Sequence, residues 1–259
     1  MKIVIKIGTS TLTHETGCVN IRQFEGLVKA ISDIKNAGHE VILVSSGAIA
    51  MGVGKLNLRE RPADIAGKQA AAAVGQCELM YTYDRLFLQY HHTVAQILLT
   101  ADDLKSEERH AKFEDTMERL LGLGVLPIIN ENDTVSTAEI KIGDNDTLAA
   151  IVAESVHADL LILMSDIDGL YDKDPHRFSD ARLIPEVRDL SADILALGGG
   201  VGSARGTGGM ATKLHAAQIA CGAGCDMMII QGSNPDNLYC VLDGKPIGTR
   251  FFAKGEKMA

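Results

Sequence analysis

Short, nearly unbroken runs of Val, Ile and Leu recur along this chain with helix-length segments between them, and no other feature restricts the fold as much. The runs lie at Lys2 to Ile7, Glu40 to Val44, Thr93 to Leu98, Val125 to Ile129, Leu160 to Met164 and Met227 to Ile230, each bounded by turn-forming residues. A strand that is apolar at successive positions has no wet face. Such strands, alternating with helices, predict a parallel sheet with helices on both sides.

The intervening segments agree. Ile21, Phe24, Leu27, Val28, Ile31 and Ile34 form one helical face that Gly38 ends. Pro62 to Tyr90 reads as one long helix or two, and its Ala70 to Ala73 stretch suits close helix packing. Ser106 followed by Glu107 and Glu108 predicts a capped helix start with acids at its positive end, and a stop near Gly122 and Gly124. Ala138 to Ile142 is expected to form a small hairpin at the sheet edge. No repeat, low-complexity tract or long linker divides the 259 residues, so one domain is expected.

With 46% hydrophobic residues the chain has ample core material. Its formal charge of -9, from 25 Lys and Arg against 34 Asp and Glu, argues against nucleic acid or an anionic membrane as a partner. An anionic substrate would need locally placed cations. The N-terminus lacks a basic leader followed by a long apolar segment, and no stretch approaches the roughly 20 apolar residues of a membrane span. The 5 cysteines include no CxxC pair, which indicates neither a disulfide framework nor a zinc site. A cytoplasmic protein is expected.

Two glycine-bearing segments suggest phosphate chemistry. Lys6-Ile7-Gly8-Thr9-Ser10 ends the first strand, where open α/β sheets place their ligands and a glycine lets backbone amides come close. The glycine-rich stretch Gly198 to Lys213 leads into the helical pattern Leu214 to Ala220 and would place Lys213 within about one turn of that helix's start. A glycine loop feeding a helix start offers free N–H groups and a positive dipole end to an anion. Neither segment is a Walker A loop, since every Gly-Lys pair is followed by Leu, Gln or Pro. A dinucleotide fingerprint is also missing at Gly8. Ser165-Asp166 sits at the end of another strand and is placed for a ligand, whereas Asp168-Gly169 reads as an ordinary turn. Between Ile129 and Asp146 lies an unusually polar stretch, INENDTVSTAEIKIGDND, in which Asp144 and Asn145 can cap a following helix.

Taken in order, KIGTSTLT at Lys6, SSGAIAMG at Ser45, QAAAAVGQ at Gln69, INENDTVSTAEIKIGDND at Ile129, SDIDGLY at Ser165 and GTGGMATK at Gly206 resemble the amino acid kinase family, in its glutamate-phosphorylating branch. The resemblance implies a three-layer α/β/α sandwich with a mainly parallel central sheet. It also implies transfer of the γ-phosphoryl of ATP, with Mg2+, to the side-chain carboxylate of L-glutamate, the first step of proline synthesis. By the same resemblance Lys6 and Lys213 hold the moving phosphoryl group, and Asp146 keeps those lysines in position. Ser46, Asp133 and Asn145, with Gly47 and Asn130 nearby, look like glutamate ligands. Lys6, Gly8, Ser165, Asp166 and the run Thr207, Gly208, Gly209, Met210, Ala211, Thr212 and Lys213 look like nucleotide contacts. No protein ligand to a metal is assigned.

Asn130, Asp133 and Asn145 would supply donors for an α-carboxylate and acceptors for an ammonium, a use for so polar a stretch. The resemblance further implies proline as a feedback inhibitor and a homo-oligomer, dimer or tetramer. The chain ends soon after Phe251-Phe252, so no C-terminal PUA domain, a module of roughly 80 to 100 residues, is expected. Gly202-Ser203-Ala204-Arg205 suggests a stiffer glycine loop than an all-glycine one. Rival readings are another amino acid kinase, acting on aspartate, N-acetylglutamate or carbamate, and a non-catalytic nucleotide or amino-acid sensor. A sensor has no use for two lysines aimed at a transferring phosphate. A dehydrogenase lacks its fingerprint.

Overall fold

The computed structural model describes residues 1–136, 144–199 and 209–253. In chain order the first half holds β1 (Lys2–Ile7), α1 (Thr9–Leu12), α2 (Ile21–Asn36), β2 (Glu40–Val44), α3 (Ala48–Lys55), α4 (Ile65–Leu88), β3 (Val94–Leu99), α5 (Ala101–Lys105), α6 (Glu107–Gly122) and β4 (Leu126–Glu131). The second half holds α7 (Asn145–Ser155), β5 (Leu160–Ser165), β6 (Leu170–Tyr171), β7 (Leu183–Ile184), β8 (Glu186–Val187), α8 (Ala192–Ala196), α9 (Met210–Gly222), β9 (Asp226–Gln231), α10 (Asn237–Leu242) and β10 (Thr249–Phe251). All six apolar runs are strands, within two residues of their expected ends. Pro62 to Tyr90 resolves into the single helix α4. The expected hairpin at Ala138 to Ile142 lies outside the described residues, as does Gly202 to Arg205.

Among the described residues one sheet has the order β3-β4-β2-β1-β5-β9-β10-β8. Its first six strands are mutually parallel, while β10 runs antiparallel to β9 and β8 parallel to β10. Helices cover both faces, because each central strand is apolar on both. Ile3, Ile5 and Ile7 pack with residues of α2, α4 and α10, among them Phe24, Leu79, Tyr83 and Leu238. Val4 points to the opposite side, where α6, α7 and α9 contribute Phe113, Leu148, Val152, Leu214 and Ala217. Side chains alternate along a strand, so Lys6 belongs to the side of α7 and α9.

The caps follow local chemistry. Asn20 accepts from the N–H of Gln23, Ser106 from that of Arg109 and Asp144 from those of Asp146 and Thr147, each satisfying donors that a helix start leaves open. Asp64 caps α4, and Thr100 with Asp103 forms a capping box on α5. Helices α3 and α4 touch backbone to backbone. A Cβ on Gly52 would fall 1.8 Å from the carbonyl oxygen of Ala71, and one on Gly75 1.7 Å from that of Ala48. This contact holds the start of α3, and with it the Ser45 to Gly47 turn, against the long helix. Among the described residues no helix is long and apolar enough to cross a membrane.

Candidate active site

From the central strand β1, the sheet extends through β2 and β4 to β3 on one side and through β5 to β9 on the other. Winding that reverses in this way leaves a crevice at the carboxyl ends of the strands. Here the crevice is a cleft of about 950 Å³. Lys6, Gly8, Ser46, Gly47, Asn130, Asp133 and Asn145 line it on one part, and Ser165, Asp166, Gly209, Met210 and Lys213 on another. Ala211 and Thr212 stand on the first turn of α9 beside them, while Thr207 and Gly208 lie outside the described residues. A smaller hollow of about 380 Å³ adjoins Asn132 and Ser136. Its cation, Arg109, is already engaged by the Asp103 carboxylate and the Asp102 carbonyl, each at 3.0 Å.

At the floor of the cleft the two lysines meet one carboxylate. Lys6 Nζ lies 2.5 Å from Asp146 Oδ1, and Lys213 Nζ donates to Asp146 Oδ2 at 3.0 Å. The Thr212 hydroxyl also donates to Oδ2, at 3.3 Å. Asp146 stands in the first turn of α7 and is fully buried, as Lys213 nearly is. Burial alone would raise the Asp146 pKa, but the charges of Lys6 and Lys213 and their hydrogen bonds outweigh it and hold the carboxyl below its ordinary range. Asp144 on the cleft wall moves the other way: burial raises its pKa against the N–H donors of Thr147 and Asp146, with the negative charge of Asp146 adding to the rise. Two ammonium groups therefore meet on one carboxylate at the floor of the cleft.

The acid-lined part of the cleft is a hydrogen-bonded network. Asn145 Nδ2 donates to the Ser45 carbonyl at 2.9 Å, to Ser46 Oγ at 2.7 Å and to Asn130 Oδ1 at 3.1 Å. Asn130 is held in turn, its Nδ2 donating to Gln76 Oε1 at 2.9 Å. Ser45 Oγ is 3.0 Å from the hydroxyl of Tyr83, whose ring packs on Phe24 with centroids 4.7 Å apart. Burial, partly offset by the Ser45 hydrogen bond, pushes the Tyr83 pKa well up, so the phenol stays protonated. Gly47 has φ 102°, a left-handed turn that glycine adopts without cost, and it starts α3.

The other part offers backbone. Gly209 precedes α9 with no side-chain cap among the described residues, so the first N–H groups of that helix face outward beside Lys213. Ser165 is buried and its hydroxyl donates to Asp166 Oδ1 at 3.0 Å. A Cβ on Gly8 would lie 3.9 Å from Lys6 Nζ, Met164 O and Ser10 Oγ. Among the described residues nothing comes closer to that position.

Several residues escape sequence reading. Arg61, Asp174 and His176 also line the cleft from loop positions with no motif, and Glu131 lines it from within the polar stretch at Ile129, where no role was expected of it. Gln76 did carry a signal: a polar side chain on the core-facing stripe of α4 that also holds Leu79 and Tyr83. The described cysteines are all free, and among the described residues no three of His, Cys, Asp and Glu converge as a metal site.

Residues 1–231 match the model of the amino acid kinase family. The chain is 51% identical to a glutamate 5-kinase of Clostridium perfringens over 98% of its own length and 96% of the relative's. With a glutamate 5-kinase of Clostridium tetani it shares 53% identity over 97% of its length and 94% of the relative's. A carbamate kinase from Giardia lamblia bound to AMP-PNP has the same fold, with a TM-score of 0.69 at 18% identity over 98% of each chain.

Proposed function

The chain belongs to the amino acid kinase family, and on that premise we propose that it transfers the γ-phosphoryl group of ATP to the side-chain carboxylate of L-glutamate. The observation that carries this reading is the pair of ammonium groups, Lys6 and Lys213, drawn together on Asp146 at the floor of a cleft that the Asn130, Asn145 and Ser46 network also lines. Full-length relatives named glutamate 5-kinase support the choice of acceptor.

A glutamate side chain has a pKa near about 4.3 in water, so at neutral pH the nucleophile is already ionised and no general base is required. One of its oxygens bonds to the γ-phosphorus while the bond to the β–γ bridging oxygen breaks, and ADP leaves with that electron pair. The obstacle is repulsion between a carboxylate and a triphosphate. Lys6 and Lys213 offset it, and the N-terminal amides of α9 add fixed dipoles where charge develops. Asp146 prevents the two lysines from repelling one another apart. Ser46, Asn130, Asp133 and Asn145 orient the acceptor, and Ser165, Asp166 and Gly8 border the nucleotide.

The cleft fits Mg2+ that arrives on the nucleotide, since such ions take most ligands from phosphate and water and only one or two from carboxylates. Asp144 and Asp166 are carboxylates on the wall that could face it. The ion would neutralise phosphate charge there. Free thiols and ATP dependence accord with a cytoplasmic setting. Proline carries the α-groups of glutamate without its side-chain carboxylate, so it would compete for the same network.

ADP release measured with ATP and Mg2+ over glutamate, aspartate, N-acetylglutamate and carbamate tests the proposal. Glutamate should be the fastest acceptor by a wide margin. Turnover with another member of the panel and none with glutamate would overturn it.

A further inference from the structure

Glu131 ends β4 on the cleft wall, and its residue surface is 9% exposed. One carboxylate oxygen, Oε1, accepts from the Ser136 hydroxyl at 2.8 Å. Among the described residues no lysine, arginine or histidine pairs with it. The other buried carboxylate of the site, Asp146, has two cations. Withdrawing a carboxylate from water without a counter-ion is costly, and a ligand cation in the same cavity offsets that cost. An amino-acid acceptor has one cation to offer, its α-ammonium.

Glu131 lines the same cleft as Asn130, Asn145 and Ser46. Its backbone N–H donates to Asn130 Oδ1 at 2.9 Å, the same oxygen that accepts from Asn145 at 3.1 Å. The residue is thus built into the network that would orient the acceptor. Ser136, which holds Glu131, is tied through its carbonyl to Gln69 of α4 at 3.3 Å, so the carboxylate is fixed before a ligand enters.

Resting on the proposed activity, we infer that Glu131 is the receptor for the α-ammonium of the acceptor and the residue that makes the enzyme choose a free amino acid over an amine-free or N-acylated dicarboxylate. Glutarate keeps both carboxylates of glutamate and lacks only the amine. N-acetylglutamate keeps the nitrogen but not its charge. Neither would bring Glu131 a cation.

The test compares kcat/KM for glutamate and glutarate in the wild type, Glu131→Gln and Glu131→Asp, with N-acetylglutamate as a third acceptor. The wild type should prefer glutamate to glutarate by about 10- to 100-fold or more, the worth of a charge-assisted contact. Glu131→Gln keeps an acceptor for Ser136 and should compress that ratio at least about tenfold, through KM for glutamate rather than through KM for ATP. Glu131→Asp, which restores the charge on a shorter arm, should recover part of the ratio and serves as the readout should the glutamine variant not fold. An unchanged ratio in both variants overturns the inference. So does a collapse of the ratio in Asp133→Asn but not in Glu131→Gln, since the ammonium would then sit on Asp133. A wild type that phosphorylates no glutamate defeats the proposed activity instead, and the two failures are told apart by that one measurement.

Discussion

Lys6 Nζ stands 2.5 Å from Asp146 Oδ1, and the other oxygen of that buried carboxylate takes Lys213 at 3.0 Å. A strand end, the start of one helix and the start of another are joined by a single side chain. The arrangement makes both the chemistry and part of the fold depend on Asp146, and four predictions follow from it and from its surroundings.

Replacing Asp146 by Asn should hurt twice. Two ammonium groups would be left facing each other in a buried site, which costs about 3 to 5 kcal/mol when one partner of such a pair is removed. Thermal unfolding should therefore shift down by many degrees, and turnover of whatever remains folded should fall by about 100-fold or more. A variant of unaltered melting temperature and near-normal kcat would contradict the role given to Asp146.

Lys213→Ala should separate chemistry from binding. The ammonium lies beside the α9 start and bonds Asp146, so kcat should drop by about 100- to 1000-fold while the Kd for glutamate changes less than about threefold. Single-turnover rates and calorimetric glutamate titration measure the two quantities apart. Equal losses in both would mean that Lys213 acts mainly on the acceptor.

Gly8→Ala distinguishes a glycine kept for the fold from one kept for a ligand. Among the described residues the added methyl would meet nothing closer than 3.9 Å, and Gly8 has φ -78°, open to any residue. Stability should stay within about 0.5 kcal/mol of wild type, whereas KM for ATP should rise about tenfold because the methyl occupies the space of a phosphate. Loss of stability with an unaltered ATP response would reverse that assignment.

Acid should unfold the protein partly through Asp146. Its pKa is depressed in the folded state by Lys6 and Lys213 against burial, so the unfolded chain binds the proton more readily. The contribution is complete above the unfolded value of about 3.9 and is lost as pH falls through the lower folded value. Denaturant midpoints of wild type and Asp146→Asn should thus differ most above about pH 4 and converge below it. A difference that stays constant down to the most acid pH would remove this linkage.

Much of the architecture is legible from local pattern. Six apolar runs fix where strands lie, since a strand buried on both faces can carry few other residues, and Ser106 and Asp144 announce helix starts through hydrogen bonds that span three residues at most. The short strands β6, β7, β8 and β10 leave no such trace, because two or three residues hold no period. The same limit applies to Arg61 and Glu131, single side chains whose meaning depends on what stands opposite.

The sequence by itself determined that the chain would form a covered parallel sheet and that lysines, glycines and amides would gather at strand and helix ends. Only the tertiary structure decided that Lys6 faces α7 and α9 rather than α2 and α4, that Asn145 bridges Ser46 and Asn130, and that Glu131 is buried with no cation paired to it among the described residues. The reason is the range of the forces. Hydrophobic period and capping act within a few residues, whereas strand order, register and the backbone contact of Gly52 and Gly75 bring distant charges to within 3 Å, and at that distance a carboxylate's partner, present or missing, sets what the site will bind.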